Sequence, residues 1–284
     1  LKKALYKEFS FLLVIVAVTV VLAVIMTHMI EINQEREGKE EKGISISLEL
    51  KLRDLIKRQI EMESRTVKNN VVIDSIEKIK ARLLPNIENN PYSSSSSDSG
   101  IEIMVIDSAL VNAVTFPGGF IVLFSGLIKR SNNPEELAAV IAHELGHVIN
   151  RDSVKLLIRQ FGVALVVSVL TGSESSLVIE YIMKKIINTS FSRQQEEMAD
   201  QFAFQLLIKS RLKPGRLADF FKQLQIERET RSIKILEYLN THPTTESRIE
   251  KAEAVSKRFE GVEETFDLDW HAVKRALPSI FDVR

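Results

Sequence analysis

Residues 9–30, FSFLLVIVAVTVVLAVIMTHMI, form an apolar run without a formal charge, and a helix of about 20 such residues spans a bilayer core. The run exceeds the hydrophobic region of a cleavable leader, and no A-x-A-like site follows it before Glu31. One uncleaved N-terminal transmembrane helix, within residues 1–30, is therefore expected. From 44 to 84 the apolar positions recur at helical spacing: Leu48, Leu50, Leu52, Leu55, Ile56 and Ile60, then Val72, Ile73, Ile76, Ile79 and Leu83. That period predicts two amphipathic helices. They belong to a 31–100 pre-domain that ends in NNPYSSSSSDSG, 89–100, a Ser-rich flexible loop.

The pattern then changes. IEIMVID, 101–107, alternates and is rich in β-branched residues, and GGFIVLFSGLI, 118–128, is an apolar run opened by Pro117-Gly118-Gly119. Two strands of a small sheet are predicted. SNNPEELAAVIAHELGHVIN starts like a helix, with Asn133 as N-cap, Pro134 at the first helical position, and Glu135 and Glu136 at the positive end of the dipole. FGVALVVSVL, 161–170, is too short for a span and reads as a buried helix, one arm of a hairpin with 177–188. Helical periods return over 190–210, 214–230 and 245–259. The expected fold is α+β and predominantly helical, with a small β-sheet within 101–259 and a C-terminal tail over 260–284.

Charge and composition narrow the chemistry. The 38 basic and 38 acidic residues cancel, so no nucleic-acid partner is expected. The absence of cysteine leaves histidine and carboxylates as the metal-binding vocabulary. Lys2, Lys3 and Lys7 precede the apolar run and a slightly acidic segment follows it. The expectation is a single-pass membrane protein with the bulk of its chain outside the cytoplasm, in a periplasm or its equivalent.

Within AAVIAHELGHVINRD, 138–152, His143 and His147 are four residues apart and share one helix face, while Glu144 is turned about 100° from His143. Two imidazoles on one ion, with a carboxylate in reach of a water on it, suit zinc-assisted hydrolysis. Catalytic zinc commonly takes three protein ligands. SFSRQQEEMADQFAFQ, 190–205, offers the third, because Glu196 and Asp200 share a face from which Gln195 and Glu197 are turned away.

H-E-x-x-H followed by S-R-x-x-E-x-x-A-D resembles the M48 family of zinc metallopeptidases. The resemblance extends to NAVTFPGGFIVLFSGLI (112–128), PEELAAVIAHELGHV (134–148) and THPTTESRI (241–249), so it covers about 101–259 in the family's order. It implies a zincin-like domain with one zinc ion held by His143, His147 and Glu196, with Glu144 as general base and acid. Asp200 would orient a ligand imidazole. Arg193 is placed beside the site, and His242 and Arg248 are candidates to stabilise an oxyanion, His242 also as a movable extra ligand in a self-inhibited state. Gly118, Gly119, Phe120, Ile121 and Val122 would bind an extended polypeptide substrate if their strand forms the sheet edge. The expected function is a membrane-anchored endopeptidase acting on membrane or envelope proteins. The alternative is a proteolytically quiet chaperone or scaffold on the same fold.

Overall fold

The computed structural model describes residues 44–93, 100–171, 176–231, 238–243 and 246–278. The apolar run 9–30 lies outside the described residues. Among them, no helix is long and apolar enough to cross a membrane.

Two capped helices come first, as the 44–84 period predicts. Helix α1 (Ile46–Glu63) is capped by Ser45 and buries Leu52, Leu55, Ile56 and Ile60. Helix α2 (Asn70–Leu83) is capped by Asn69 and buries Val72, Ile76, Ile79 and Leu83. Both belong to the same compact unit as the rest of the described chain.

The sheet has three strands where the apolar pattern predicts two: β1 (Glu102–Ile106), β2 (Ala113–Phe116) and β3 (Phe120–Phe124). Their order is β1-β3-β2. Strand β3 runs parallel to β1, with Glu102 opposite Phe120, and antiparallel to β2, with Phe116 opposite Phe120. Residues 118–128 are thus not one strand. The chain leaves β3 at Phe124 and enters helix α3 (Ser125–Arg130).

This order corrects the expectation for the substrate strand. Phe120, Ile121 and Val122 lie in the central strand, whose backbone is flanked on both sides, and Gly118 and Gly119 form the β2–β3 turn. An added peptide strand needs an edge. Strand β3 is uniformly apolar because both of its faces are covered. Ile121 and Leu123 enter one core with α2 and the helices below, while Phe120, Val122 and Phe124 enter a second core with α1.

Helix α4 (Pro134–Ile149) has the predicted cap, Asn133, whose side chain accepts from Glu136 N–H, and is buried from Pro134 to Val148. Helix α5 (Asp152–Thr171) begins before the predicted 161 and is broken at Gly162, where φ is 72°. Helix α6 (Ser176–Ile187) follows. Helix α7 (Arg193–Lys209) opens on a reciprocal capping box between Ser192 and Gln195. Helices α8 (Gly215–Arg231), α9 (Tyr238–Thr241) and α10 (Glu246–Lys257) come next. Helix α11 (Trp270–Ala276) lies in the predicted tail, yet it buries Trp270 and Val273 and donates Trp270 Nε1–H to Ser131 O at 2.9 Å.

Helices α4 and α7 make the closest approach that matters to the site. A Cβ on Gly146 would lie 2.8 Å from Ala199 Cα and 2.9 Å from its carbonyl oxygen, below any normal contact. Gly146 and Ala199 therefore set how near the His143–His147 face stands to Glu196.

Candidate metal centre

His143 and His147 project from the middle and end of α4, Glu196 from the first turn of α7, and His242 from just after the single turn of α9. All four are buried, and one ligand atom from each lies within 4.8 Å of the others. His143 Nε2 is 3.2 Å from His147 Nε2 and 3.3 Å from His242 Nδ1. Glu196 Oε1 is 3.5 Å from His147 Nε2 and 3.1 Å from His242 Nδ1. A tetrahedral zinc with bonds of about 2.0–2.1 Å has edges near 3.3 Å, and these four separations are close to that value.

The outer contacts fit it too. Asp152 Oδ2 lies 2.8 Å from His147 Nδ1. Asp200 Oδ1 lies 3.0 Å from His143 Nδ1, an ion-pair distance although out of line for a hydrogen bond. Carboxylates on Nδ1 favour a proton there and leave the Nε2 lone pairs converging on one point. Converging lone pairs in a dry site require positive charge. Burial opposes charge on His143, but Asp200 and Glu196 outweigh it and raise its pKa to about 9. His147 is raised in the same contest, with Asp152 and Glu196 overcoming burial. Burial would raise Glu196, yet His242, His143 and His147 hold its carboxyl far below the usual range.

Glu144 stands beside this set, not in it. Its Oε2 accepts from Thr115 Oγ1 at 2.8 Å, and its Oε1 lies 3.4 Å from Tyr238 Oη and 3.4 Å from His242 Nε2. A carboxylate aligned next to a metal-binding set is placed for proton transfer.

A model of the M48 peptidases matches residues 78–256, more than half of the chain. The chain belongs to peptidase family M48. Membership places it among the zinc metallopeptidases, in agreement with the buried tetrad. It is 26% identical over 232 residues to the β-barrel assembly-enhancing protease of Escherichia coli (strain K12), covering 74% of this chain and 44% of that protein. It is 28% identical over 162 residues to the mitochondrial metalloendopeptidase OMA1 of Schizosaccharomyces pombe, covering 56% and 48%. The protein of the same name from Saccharomyces cerevisiae is 27% identical over 189 residues, covering 62% and 53%. The chain thus spans about half the length of the curated relatives it matches.

The M48 motif residues divide by position. His143, His147 and Glu196 converge together with His242, Glu144 stands beside them, and Asp200 lies on the Nδ1 side of His143. Glu197 is exposed on α7 and paired with Lys251, whereas Glu196 faces the histidines. Arg248, expected to face an oxyanion, instead grips Asp200 with Nε and Nη2 at 2.7 and 2.8 Å. Its Nη1 lies 2.9 Å from Pro243 O and 2.7 Å from Glu196 Oε2. Arg193 is exposed at the rim of a cavity of about 350 Å³ that Phe191, Phe204 and Pro243 also line, and it makes no ion pair with Glu196 or Asp200 among the described residues.

Sequence reasoning missed five contributors. Asp152 could have been found, since it follows His147 by five residues and opens the next helix. Gln195 donates Nε2–H to Asp152 Oδ1 at 3.0 Å. The rings of Phe191 and Tyr238 stack on His147 and His242 at centroid distances of 4.1 and 4.5 Å. Thr115 sits on β2. The last four carry no local signal.

Proposed function

We propose that this chain is a membrane-anchored zinc endopeptidase that cuts extended, partly unfolded membrane or envelope polypeptides. The observation that carries the reading is a buried set of three imidazoles and one carboxylate whose donor atoms converge, with Glu144 beside it. The relatives named as a protease and a metalloendopeptidase support peptide-bond cleavage as the reaction.

Zinc, when bound, supplies Lewis acidity that polarises a carbonyl and lets water be deprotonated near neutral pH. His143, His147 and Glu196 hold the ion, and Asp200, Asp152 and Arg248 fix their orientation. Glu144 takes a proton from the attacking water at one carboxylate oxygen while Thr115 holds the other, then returns it to the leaving amine. An extended substrate pairs at the edge strand β2. The Phe124 N–H to Asn112 O bond, 3.1 Å, sets the ladder so that Thr115 directs its backbone groups away from β3.

With zinc bound, all four groups together would fill a tetrahedral shell, whereas a catalytic zinc keeps a position open. His242 is the group that leaves, because it follows a four-residue helix while the other three sit on long helices. The same closed set favours the second reading, a quiet scaffold with structural zinc.

The deciding measurement is cleavage of casein by the purified full chain. Cleavage that a chelator stops and added zinc restores is expected; a zinc-loaded chain that leaves casein intact favours the scaffold. The anchor rests on the uncharged run 9–30 and the preceding lysines, which orient the catalytic part outside the cytoplasm. Membranes carrying the full chain should retain it through a carbonate wash, and release into the supernatant would count against a span.

A further inference from the structure

Glu49 occupies a position where the helical pattern calls for an apolar residue. It precedes Leu52, Ile56 and Ile60 on the buried face of α1 and is 1% exposed. A carboxylate in a core is tolerated only when it is paired and hydrogen-bonded. Each of its oxygens has a separate task. Oε1 accepts from Arg151 Nε at 2.7 Å and also meets Nη2 of that guanidinium. Oε2 accepts from Tyr92 Oη–H at 2.6 Å and from the Gly118 N–H at 3.3 Å.

Both groups lead to the metal centre. Arg151 is the residue between α4 and α5, held in the left-handed region at φ 53°, where a residue with a side chain rarely rests unless its surroundings fix it. It lies between the last turn of α4, which carries His147, and Asp152, whose carboxylate bonds His147 Nδ1. Its Nη2 also donates to Ile44 O, so the side chain is tied to α1 and to the chain just before it. On the other side, Gly118 turns β2 into β3 at φ 80°, and a Cβ there would lie 2.6 Å from Glu49 O. Arg53 of α1 donates to Gly118 O at 3.3 Å. Strand β2 then places Thr115 on Glu144.

We propose that Glu49 is a positioning residue for the metal centre, holding Arg151 so that Asp152 orients His147, and holding Gly118 so that β2 presents Thr115 to Glu144. The inference rests on the zinc-peptidase reading and extends it to a helix that contributes no ligand. It also explains why the Pro117-Gly118-Gly119 turn needs its first glycine: α1 approaches too closely for any side chain.

Metal binding by the full chain tests it without recourse to proteolysis. The chain is stripped of metal and titrated with Co²⁺, whose visible spectrum reports coordination geometry, and with zinc by competition. Glu49→Gln keeps the shape but loses the charge that Arg151 requires. It should weaken both metals by about 10-fold, the lower end of the range for outer contacts, and change the Co²⁺ bands. Leu52→Ala, a cavity on the same helix, serves as the comparison. It should lower Tm at least as much as Glu49→Gln while leaving affinity and spectrum unchanged. Arg151→Lys, which retains the charge but not the fork, carries the same test if Glu49→Gln fails to fold, and should show a smaller loss of the same kind. Wild-type affinity and spectrum in Glu49→Gln or, failing its folding, in Arg151→Lys overturn the proposal, as does an equal metal defect in Leu52→Ala. A wild-type chain that takes up neither metal removes the zinc-peptidase reading and this inference with it.

Discussion

Glu144→Gln should lower the turnover of an unfolded polypeptide by about 10²–10⁴-fold, the usual worth of general acid–base catalysis, while the chain retains its zinc. The separation follows from the geometry. Glu144 is not among the four converging donors, so the ion does not lose a ligand. Glutamine keeps the shape, and its carbonyl can still accept from Thr115 Oγ1, which lies 2.8 Å from the carboxylate. What disappears is a group able to take a proton from water and give it to an amine. Steady-state cleavage, metal content by atomic emission and recovery of co-purifying polypeptides are measured on one preparation. Retained zinc, lost cleavage and uncut polypeptide in the eluate are the expected results. Undiminished cleavage would take the proton-transfer role from Glu144.

Glu196→Ala should empty the metal centre, whereas Glu197→Ala should leave it filled. Adjacent in sequence, the two carboxylates differ completely in surroundings. Glu196 faces three imidazoles and Arg248, and those histidines hold it ionised against the opposing effect of burial. Glu197 is an exposed partner of Lys251, and such pairs contribute little to stability. Losing Glu196 removes one ligand and leaves a buried guanidinium short of a carboxylate. The fall in zinc affinity should exceed the roughly 10–100-fold typical of an outer contact, and competition with a chromophoric chelator measures it. Zinc loss in Glu197→Ala with retention in Glu196→Ala would place the ligand one residue away.

The metal centre is legible in the sequence because its signals are local. The i,i+4 spacings of His143 with His147 and of Glu196 with Asp200 survive into the structure because both pairs lie on well-capped helices. The strands are less legible. A strand covered on both faces reads as an apolar run, so neither the order β1-β3-β2 nor the passage into α3 at Ser125 leaves a periodic trace. The apolar run 118–122 therefore fits an edge or a central strand equally, and only the strand order decides between them. Thr115, which meets Glu144, and Phe191 and Tyr238, which stack on His147 and His242, are brought there by the tertiary fold and not by a spacing in the sequence. Arg248 shows the same limit, since its motif locates it near the site but not the carboxylates it grips.

The contact between Gly146 and Ala199 bears on which ion the centre accepts. The space between the two backbones at this crossing does not admit even a Cβ on Gly146, and separating them would disrupt the packing between the two helices. The separation between the His143–His147 face and Glu196 is therefore set by the main chain at this crossing. Three imidazoles and one carboxylate suit a cation with bonds of about 2.0–2.1 Å, whereas calcium, which takes six to eight oxygens at about 2.3–2.6 Å, meets too few oxygens. The crossing of α4 and α7 lies next to the ligands themselves, since Gly146 directly precedes His147 and Ala199 directly precedes Asp200, so a side chain added at Gly146 should widen the metal centre and lower its affinity for zinc.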